Sequence, residues 1–346
     1  MKLQDFNFQL PKSLIATFPL KERSASKLLV LDRKLSDRNF KDLHQFLKPN
    51  DVLVINDTSV LRARLFGKKI TGAKVEILIE RVSDTYFATA QTKSNSNLKK
   101  GDKIFLSEEG PFVVVIRKRQ SISELKFSKP VKEIIELYGK VPLPPYIRRE
   151  ATKLDSDRYQ TIYADFKKCK SVAAPTAGFH FDKDLLDSLE NKGIKIAKLT
   201  LHVGMGTFKP IKDRLVENHK MHKEQIEISK ESVEVIIEAK RRKRKIVCVG
   251  TTSLRCIESV CKKNEGKLTP FKGETDLFIY PGYKFQLVDG LITNFHLPRS
   301  SLLLLVSAFA GHKRIMSAYN YAIKNQYRFY SYGDAMFINP KDINKK

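Results

Sequence analysis

The chain has 346 residues, 42% hydrophobic and 29% charged, with 64 Lys and Arg against 38 Asp and Glu, a formal net charge of +26. That length allows two domains, or one large domain carrying an insertion, and the apolar content argues against disorder. The longest apolar run, Leu302–Ala310, is about half of what a membrane-spanning helix needs. No charged segment leading into an apolar one opens the chain, so a soluble cytoplasmic protein without a membrane partner is expected. Cys169, Cys248, Cys256 and Cys261 form no C-x-x-C pair, which fits reduced thiols better than a zinc site or a disulfide framework.

The first periodic pattern lies between about Leu61 and Leu125. Val75–Arg81, Tyr86–Gln91, Lys103–Leu106 and Phe112–Arg117 are short β-rich runs separated by polar or Gly-containing segments, which predicts a small barrel. Pro142–Arg149 (PLPPYIRR) is a rigid extended strip ending in two guanidiniums, where Tyr146 could stack on a base and Arg148 and Arg149 meet phosphates. A stiff interdomain connector would read the same way, and the two roles are compatible.

The remainder reads as α/β. A helix is predicted over Asp182–Asn191, with Asp182 as N-cap and Gly193 past its end, followed by a strand over Ile194–Leu201. Gly204 and Gly206 form a lone G-x-G beside His202. Position 209 is Lys, so a dinucleotide fingerprint is absent and close backbone approach to a substrate fits better. His219, His222 and Glu224 (H-x-x-H-x-E) lack the spacing of a zinc helix and read as solvated surface or an RNA contact; no metal site is expected. A helix over Ser229–Lys243 and a strand over Ile246–Val249 follow. The strand enters Gly250-Thr251-Thr252-Ser253 before a helix running to about Lys262, so free N–H groups and hydroxyls there would suit an anion, with Arg255 one turn in. An ordinary βα turn capped by Ser253 is the plain structural alternative. Ser301–Ala310 and His312–Lys324 read as two helices parted at Gly311.

Two stretches stand apart from this charged background. Ser171–Phe181 (SVAAPTAGFHF) has no charged residue, and Thr293–Gly311 (TNFHLPRSSLLLLVSAFAG) has only Arg299. Each carries a histidine, His180 or His296, among apolar neighbours, as a preformed, partly dry pocket requires; buried turns with satisfied core histidines would look alike. Basic clusters recur at Arg62/Arg64/Lys68/Lys69, Arg117–Arg119, Arg148/Arg149, Lys167/Lys168/Lys170 and Lys240–Lys245, which points to a polyanionic partner. A general lysine bias explains the total charge but not the clustering.

Ten ordered segments carry a resemblance that spans almost the whole chain. They are Phe6–Leu20, Asp51–Lys69, Gly139–Arg149, Asp157–Ala164, Ser171–Phe181, Leu199–Ile211, Val249–Ser259, Thr275–Phe285, Leu291–Gly311 and Tyr327–Ile338. Together they resemble the tRNA ribosyltransferase-isomerases of queuosine biosynthesis. The resemblance implies a mixed-sheet α/β main domain (1–60 plus 150–346) with an inserted small β-barrel domain (61–149). It implies S-adenosylmethionine as a ribosyl-donating co-substrate, no permanently bound cofactor, and a tRNA acceptor carrying a deazaguanine at the wobble position; a monomer is expected. That chemistry needs a general base, for which His180, His202 and His296 are candidates, with Asp276, Glu258 and Asp334 available for the sulfonium or the ribose hydroxyls. Thr176, Gly178, Gly204, Gly206, Thr251, Thr252, Ser253, Arg255 and Asn294 are the other candidate substrate contacts. Tyr146, Arg148, Arg149, Arg62 and Arg64 are the candidate tRNA contacts. All three histidines are expected to approach one pocket. The chain departs from the family pattern at Lys27, Ser59 and Lys170, and Ser59 in place of Arg puts one phosphate or carboxylate contact in doubt. A non-catalytic RNA-binding protein and a conventional methyltransferase are the competing functions. The first has no need of uncharged His-Pro-Gly pockets, and the second lacks its glycine fingerprint.

Overall fold

The computed structural model describes residues 1–339 apart from 121, 205, 207–210 and 212. The chain first lays down β1 (Lys27–Leu31), β2 (Leu35–Asn39), β3 (Val52–Asn56) and a short β4 (Ser59–Val60). It then forms β5 (Arg64–Lys69), β6 (Lys74–Asp84), β7 (Phe87–Ser94), β8 (Lys103–Phe105), β9 (Phe112–Arg119) and β10 (Ile122–Phe127). After α1 (Val131–Tyr138) and α2 (Lys153–Arg158) come β11 (Cys169–Ser171), α3 (Lys183–Asn191), β12 (Lys195–Leu201), β13 (Glu224–Ile228) and α4 (Lys230–Arg241). The last elements are β14 (Ile246–Val249), α5 (Gly250–Lys263), β15 (Phe271–Thr275), β16 (Gly290–Asn294), α6 (Ser301–Ala310), α7 (His312–Lys324) and β17 (Ala335–Ile338).

Nine strands make one mixed sheet in the order β15-β13-β12-β3-β14-β16-β17-β1-β2, in which β12, β3, β14 and β16 run parallel. These central strands are apolar at nearly every position because both faces are covered. Val52 and Val54, with Ile246 and Cys248, pack into the core under α4 to α7. Leu53 and Ile55, with Val247 and Val249, pack into a second core with α3 and Phe40. The six strands β5 to β10 close into an antiparallel barrel in the order β10-β7-β6-β5-β8-β9, filled by Leu65, Ile77, Ile79, Val113 and Val115 and plugged by Ile134 of α1. The α/β architecture and the barrel are those expected. The predicted strands Val75–Arg81 and Phe112–Arg117 lie within β6 and β9, Tyr86 precedes the longer β7, and Leu106 follows the shorter β8. Asp182 and Ser229 cap α3 and α4 by accepting from Leu185 N–H and Ser232 N–H. Gly311, at φ 89°, separates α6 from α7.

The proline strip is tied back onto the main body by one buried carboxylate. Asp155 in α2 accepts from Arg149 Nη1 (2.6 Å) and Nη2 (2.8 Å), from the Thr152 N–H (2.7 Å) and from the Tyr332 hydroxyl (2.7 Å). Burial alone would raise this carboxyl, but the Arg149 fork, the Thr152 amide and the two hydroxyls bring it down to about 2. Its folded value lies below the ordinary one of about 4, so the stabilisation is full above about pH 4 and is lost as pH falls toward 2. Replacing Arg149 by Ala should lower Tm at pH 6, and calorimetry should find the gap narrowing as the pH approaches 2. A gap independent of pH would assign the loss to the bonds of the guanidinium to the Thr17 and Glu150 carbonyls and its packing on Phe18, 3.9 Å from the ring centre.

Candidate functional site

The carboxyl ends of the parallel strands open onto a cavity with about 840 Å³ of space between its walls, part of it open to solvent. This is where open α/β sheets place their ligands. The two charge-poor stretches meet here. Ala173–Ala177 from the first and Thr293–Leu297 from the second both line the cavity, and Thr176 Oγ1 donates to Asn294 Oδ1 across the junction (2.8 Å). Gly250, Thr251 and Thr252 contribute the wall at the start of α5, and Tyr146 and Tyr330 an aromatic one, their rings 4.7 Å apart.

The three histidines are in three different situations. His296 lines the cavity and is 9% exposed. Burial lowers its imidazole to about 3, so it is neutral at any working pH. Its Nε2 lies 2.8 Å from Thr293 Oγ1. A Thr293 hydroxyl that donates to the Asn294 carbonyl (3.3 Å) accepts from Nε2–H and leaves the Nδ1 lone pair unbonded. His180 sits one residue behind the wall: Nε2 accepts from Asn294 Nδ2 (3.1 Å), and Nδ1 donates to Ser26 Oγ (2.7 Å). Burial first, then Arg328 and Arg23, lower it to about 3. A neutral, doubly bonded imidazole holds the Asn294 amide, whose other N–H goes to the Tyr330 carbonyl.

His202 departs from the expected convergence. Its neighbour Val203 lines the cavity, whereas His202 is half-buried and bonds Thr58 Oγ1 through Nδ1 (2.8 Å), within a cluster that also holds Ser171 and Lys168. Burial and the neighbouring Lys170 lower its pKa. Strand alternation at the end of β12 is the physical reason: one residue faces the cavity and the next faces away.

Several candidate acids and caps lie outside the cavity lining. Asp276 is exposed and outside the cavity lining. Glu258 is fully buried and accepts from the amides of Gln286, Leu287 and Val288. Burial raises its pKa, and those amides offset part of the rise. Asp334 accepts from the amides of Lys27 and Arg328; burial raises its pKa as well. Ser253 does not cap α5, because Gly250-Thr251-Thr252-Ser253 is already the first helical turn and the Ser253 hydroxyl donates to the Val249 carbonyl (2.8 Å). Gly178 lies in the turn behind Thr176, where a Cβ would come within 2.1 Å of the Tyr163 hydroxyl. Gly206 leaves room for the His222 ring, which a Cβ would meet at 2.2 Å; the continuation over 207–210, including Lys209, lies outside the described residues. Of the departures, Ser59 is fully buried and its hydroxyl has no partner among the described residues, Lys27 caps the Asn325 carbonyl, and Lys170 is exposed.

Glu224 overturns the reading of H-x-x-H-x-E as solvated surface. His222 is exposed, but Glu224 is 6% exposed, forms an ion pair with Arg255 and accepts from the Gly204 N–H (3.1 Å). Alternation along β13 turns it inward while Lys223 points to solvent. Arg255 also donates from Nε to the Leu277 carbonyl (3.1 Å) and lines the cavity.

A second concavity, a groove of about 870 Å³ of open space, lies between the barrel and the proline strip. Arg64, Lys93, Lys140 and Arg148 line it. Arg64 pairs with Glu76 (3.1 Å) and Lys140 with Glu150 (3.7 Å), while Lys93 and Arg148 have no carboxylate partner among the described residues. Arg62 is exposed outside this lining. Tyr146 lines the strand-end cavity and not this groove, and its hydroxyl bonds Ser331. In the Lys240–Lys245 run, Lys240 pairs with Asp289 and both Arg241 and Arg242 with Glu238, so part of that charge is already met.

A cavity at the ends of parallel strands, holding a neutral imidazole and a guanidinium with one free arm, defines the class as an α/β enzyme acting on a small organic substrate. The model of the family described as queuosine biosynthesis protein matches residues 3–338, and the chain belongs to that family. Among its relatives, an S-adenosylmethionine:tRNA ribosyltransferase-isomerase from Acinetobacter baumannii is 45% identical over 345 residues, covering 99% of this chain and 100% of its own. One of the same name from Acinetobacter baylyi is 46% identical over 341 residues, 98% and 99% of the two chains. The crystal structure of the S-adenosylmethionine tRNA ribosyltransferase from Thermotoga maritima is similar with a TM-score of 0.54 and 33% identity, over 96% of this chain and 99% of that one.

Replacing Glu224 by Ala would leave the Arg255 charge buried without its partner, and urea unfolding should show a loss of about 3–5 kcal/mol. Asp276→Asn, at an exposed position, should stay within about 0.5 kcal/mol of the parent. A small effect at Glu224 would mean that water reaches Arg255.

Proposed function

We propose that the protein transfers and isomerises the ribosyl moiety of S-adenosylmethionine onto the 7-aminomethyl-7-deazaguanine wobble base of tRNA, giving epoxyqueuosine-tRNA and releasing adenine and methionine. The observation that carries this reading is the meeting of both charge-poor stretches in one cavity, in a chain whose family membership spans residues 3–338. S-adenosylmethionine is a co-substrate here, with no permanently bound cofactor, and the protein works as a cytoplasmic monomer. No helix among the described residues is long and apolar enough to cross a membrane.

The chemistry sets three demands. The donor's sulfonium acidifies the adjacent ribose methylene, so a base must take a proton there. Adenine must leave, and the aminomethyl group of the acceptor must be aimed at the opening ribose, after which methionine departs as a neutral thioether. In this reading His296 is the base, since its neutral imidazole lines the cavity. His180 is a positioning residue acting through Asn294, and His202 supports the Thr58–Ser171 cluster. Residues 61–149 form an inserted domain whose barrel and proline strip carry the groove for the RNA backbone, where Lys93 and Arg148 offer unmet charge.

Product analysis tests the reaction: adenine and methionine should appear in equal amounts per modified tRNA. S-adenosylhomocysteine would end the ribosyl-transfer reading in favour of methyl transfer, and no small-molecule product at all would leave an RNA-binding protein. His296→Ala should cost about a hundredfold to ten-thousandfold in turnover with Tm nearly unchanged. His202→Ala should instead lower Tm and spare turnover per folded molecule; the reverse pattern would exchange the two roles. For the RNA groove, Arg148→Ala should flatten the slope of log affinity against log salt by about 0.7–0.9, one phosphate contact. An unchanged slope would move the contact to the remaining cations of Lys240–Lys245.

A further inference from the structure

The first turn of α5 has no side-chain cap. Its N-cap is the apolar Val249, so the helix presents its amide ends, equivalent to about half a positive charge, to the cavity lined by Gly250, Thr251 and Thr252. Two more donors are stranded beside it. Thr252 Oγ1 and Arg255 Nη2 are both buried, and neither has a partner among the described residues. The rest of the Arg255 guanidinium is committed, Nη1 to Glu224 and Nε to the Leu277 carbonyl, so the free arm cannot turn away without breaking both. Arg255 is 5% exposed, and a buried charged donor left unpaired is costly, so its partner has to enter through the cavity. Gly250 has φ +89°, a backbone conformation that favours glycine, and a Cβ there would stand in ordinary contact with Thr252 Oγ1 (3.4 Å) and the Ala177 Cβ (3.6 Å).

We propose that Arg255 Nη2, Thr252 Oγ1 and the N-terminus of α5 form the seat for the carboxylate of the donor's methionine portion, with Glu224 as the positioning residue that fixes the guanidinium. The assignment rests on S-adenosylmethionine being the donor. A small carboxylate fits the place better than an RNA phosphate does. The seat is built from buried atoms in the same cavity as His296, while the cations free to meet a polynucleotide backbone, Lys93 and Arg148, lie in the separate groove. With the carboxylate at α5, the donor is held by the part that leaves, and its ribose is free to lie toward the wall that carries His296.

Isothermal titration of the full chain needs no turnover to test this. The two probes are S-adenosylmethionine and its decarboxylated counterpart, which keeps the adenosine and the sulfonium but ends in a propylamine. The parent protein should bind S-adenosylmethionine roughly ten- to hundredfold more tightly, as charge-assisted hydrogen bonds to one carboxylate allow. Thr252→Val, which removes only the hydroxyl, and Arg255→Lys, which keeps a cation beside Glu224 but loses the free arm, should each narrow that ratio. They should do so by weakening S-adenosylmethionine and leaving the decarboxylated compound unchanged. Equal affinity for the two compounds in the parent, or an unchanged ratio in Thr252→Val, overturns the seat. If the two compounds bind equally and Thr252→Val weakens tRNA instead, the site belongs to an RNA phosphate and the proposal fails. A parent protein that binds no S-adenosylmethionine at all defeats the donor reading itself, and the seat with it.

Discussion

The Asn294 side chain is the interaction on which the site depends. It is 3% exposed, and its amide has both hydrogens and its oxygen engaged: Nδ2 donates to His180 Nε2 and to the Tyr330 carbonyl, and Oδ1 accepts from Thr176. Those four groups come from the end of β16, from both sides of the turn preceding α3, and from the segment before β17. An amide is suited to this because it offers donors and an acceptor without charge, so it joins the segments at no cost of burying an ion. It also decides the state of His180: with a donor on Nε2, the imidazole must be neutral and carry its proton on Nδ1, which then finds Ser26.

Three buried carboxylates hold irregular backbone. Glu258 gathers three consecutive amides of the loop before β16, Asp334 holds the backbone of Lys27 and Arg328, and Asp155 anchors the proline strip. A carboxylate is effective there because it can accept several N–H groups at once where no strand or helix satisfies them. The Glu224–Arg255 pair is different, since one guanidinium arm is left without a partner among the described residues, in a side chain that lines the cavity. Chains that bury ions usually satisfy them completely, so the leftover arm separates a binding element from a purely structural one.

The barrel and the sheet divide the work along the same line. The sheet's parallel strands end in a partly dry cavity suited to a small, charged organic molecule. The barrel meets the proline strip in a shallow, wet groove whose cations are in part unpaired. Low dielectric strengthens the few interactions in the first, while counterion release governs the second. Tyr146 links the two, being on the strip by sequence and on the cavity wall by position.

Local pattern determined much by itself. Strand β14, helices α6 and α7 and the cap Asp182 were legible because apolar runs, period and capping residues act over a few positions. The scarcity of charge in Ser171–Phe181 and Thr293–Gly311 marked the cavity for the same reason: residues that line a dry space must avoid uncompensated ions. The tertiary structure decided what depends on strand phase and distant pairing. An acid near a motif can serve the fold rather than the chemistry, as Glu258 does, and only the three amides converging on it from the loop before β16 reveal that role. His202 and Val203 are adjacent, yet only one faces the cavity, and no local signal sets which, because it depends on the register of β12 against β3. Glu224 sits between exposed His222 and Lys223 and a strand of alternating pattern, so its burial becomes visible only once α5 brings Arg255, 31 positions away, against it.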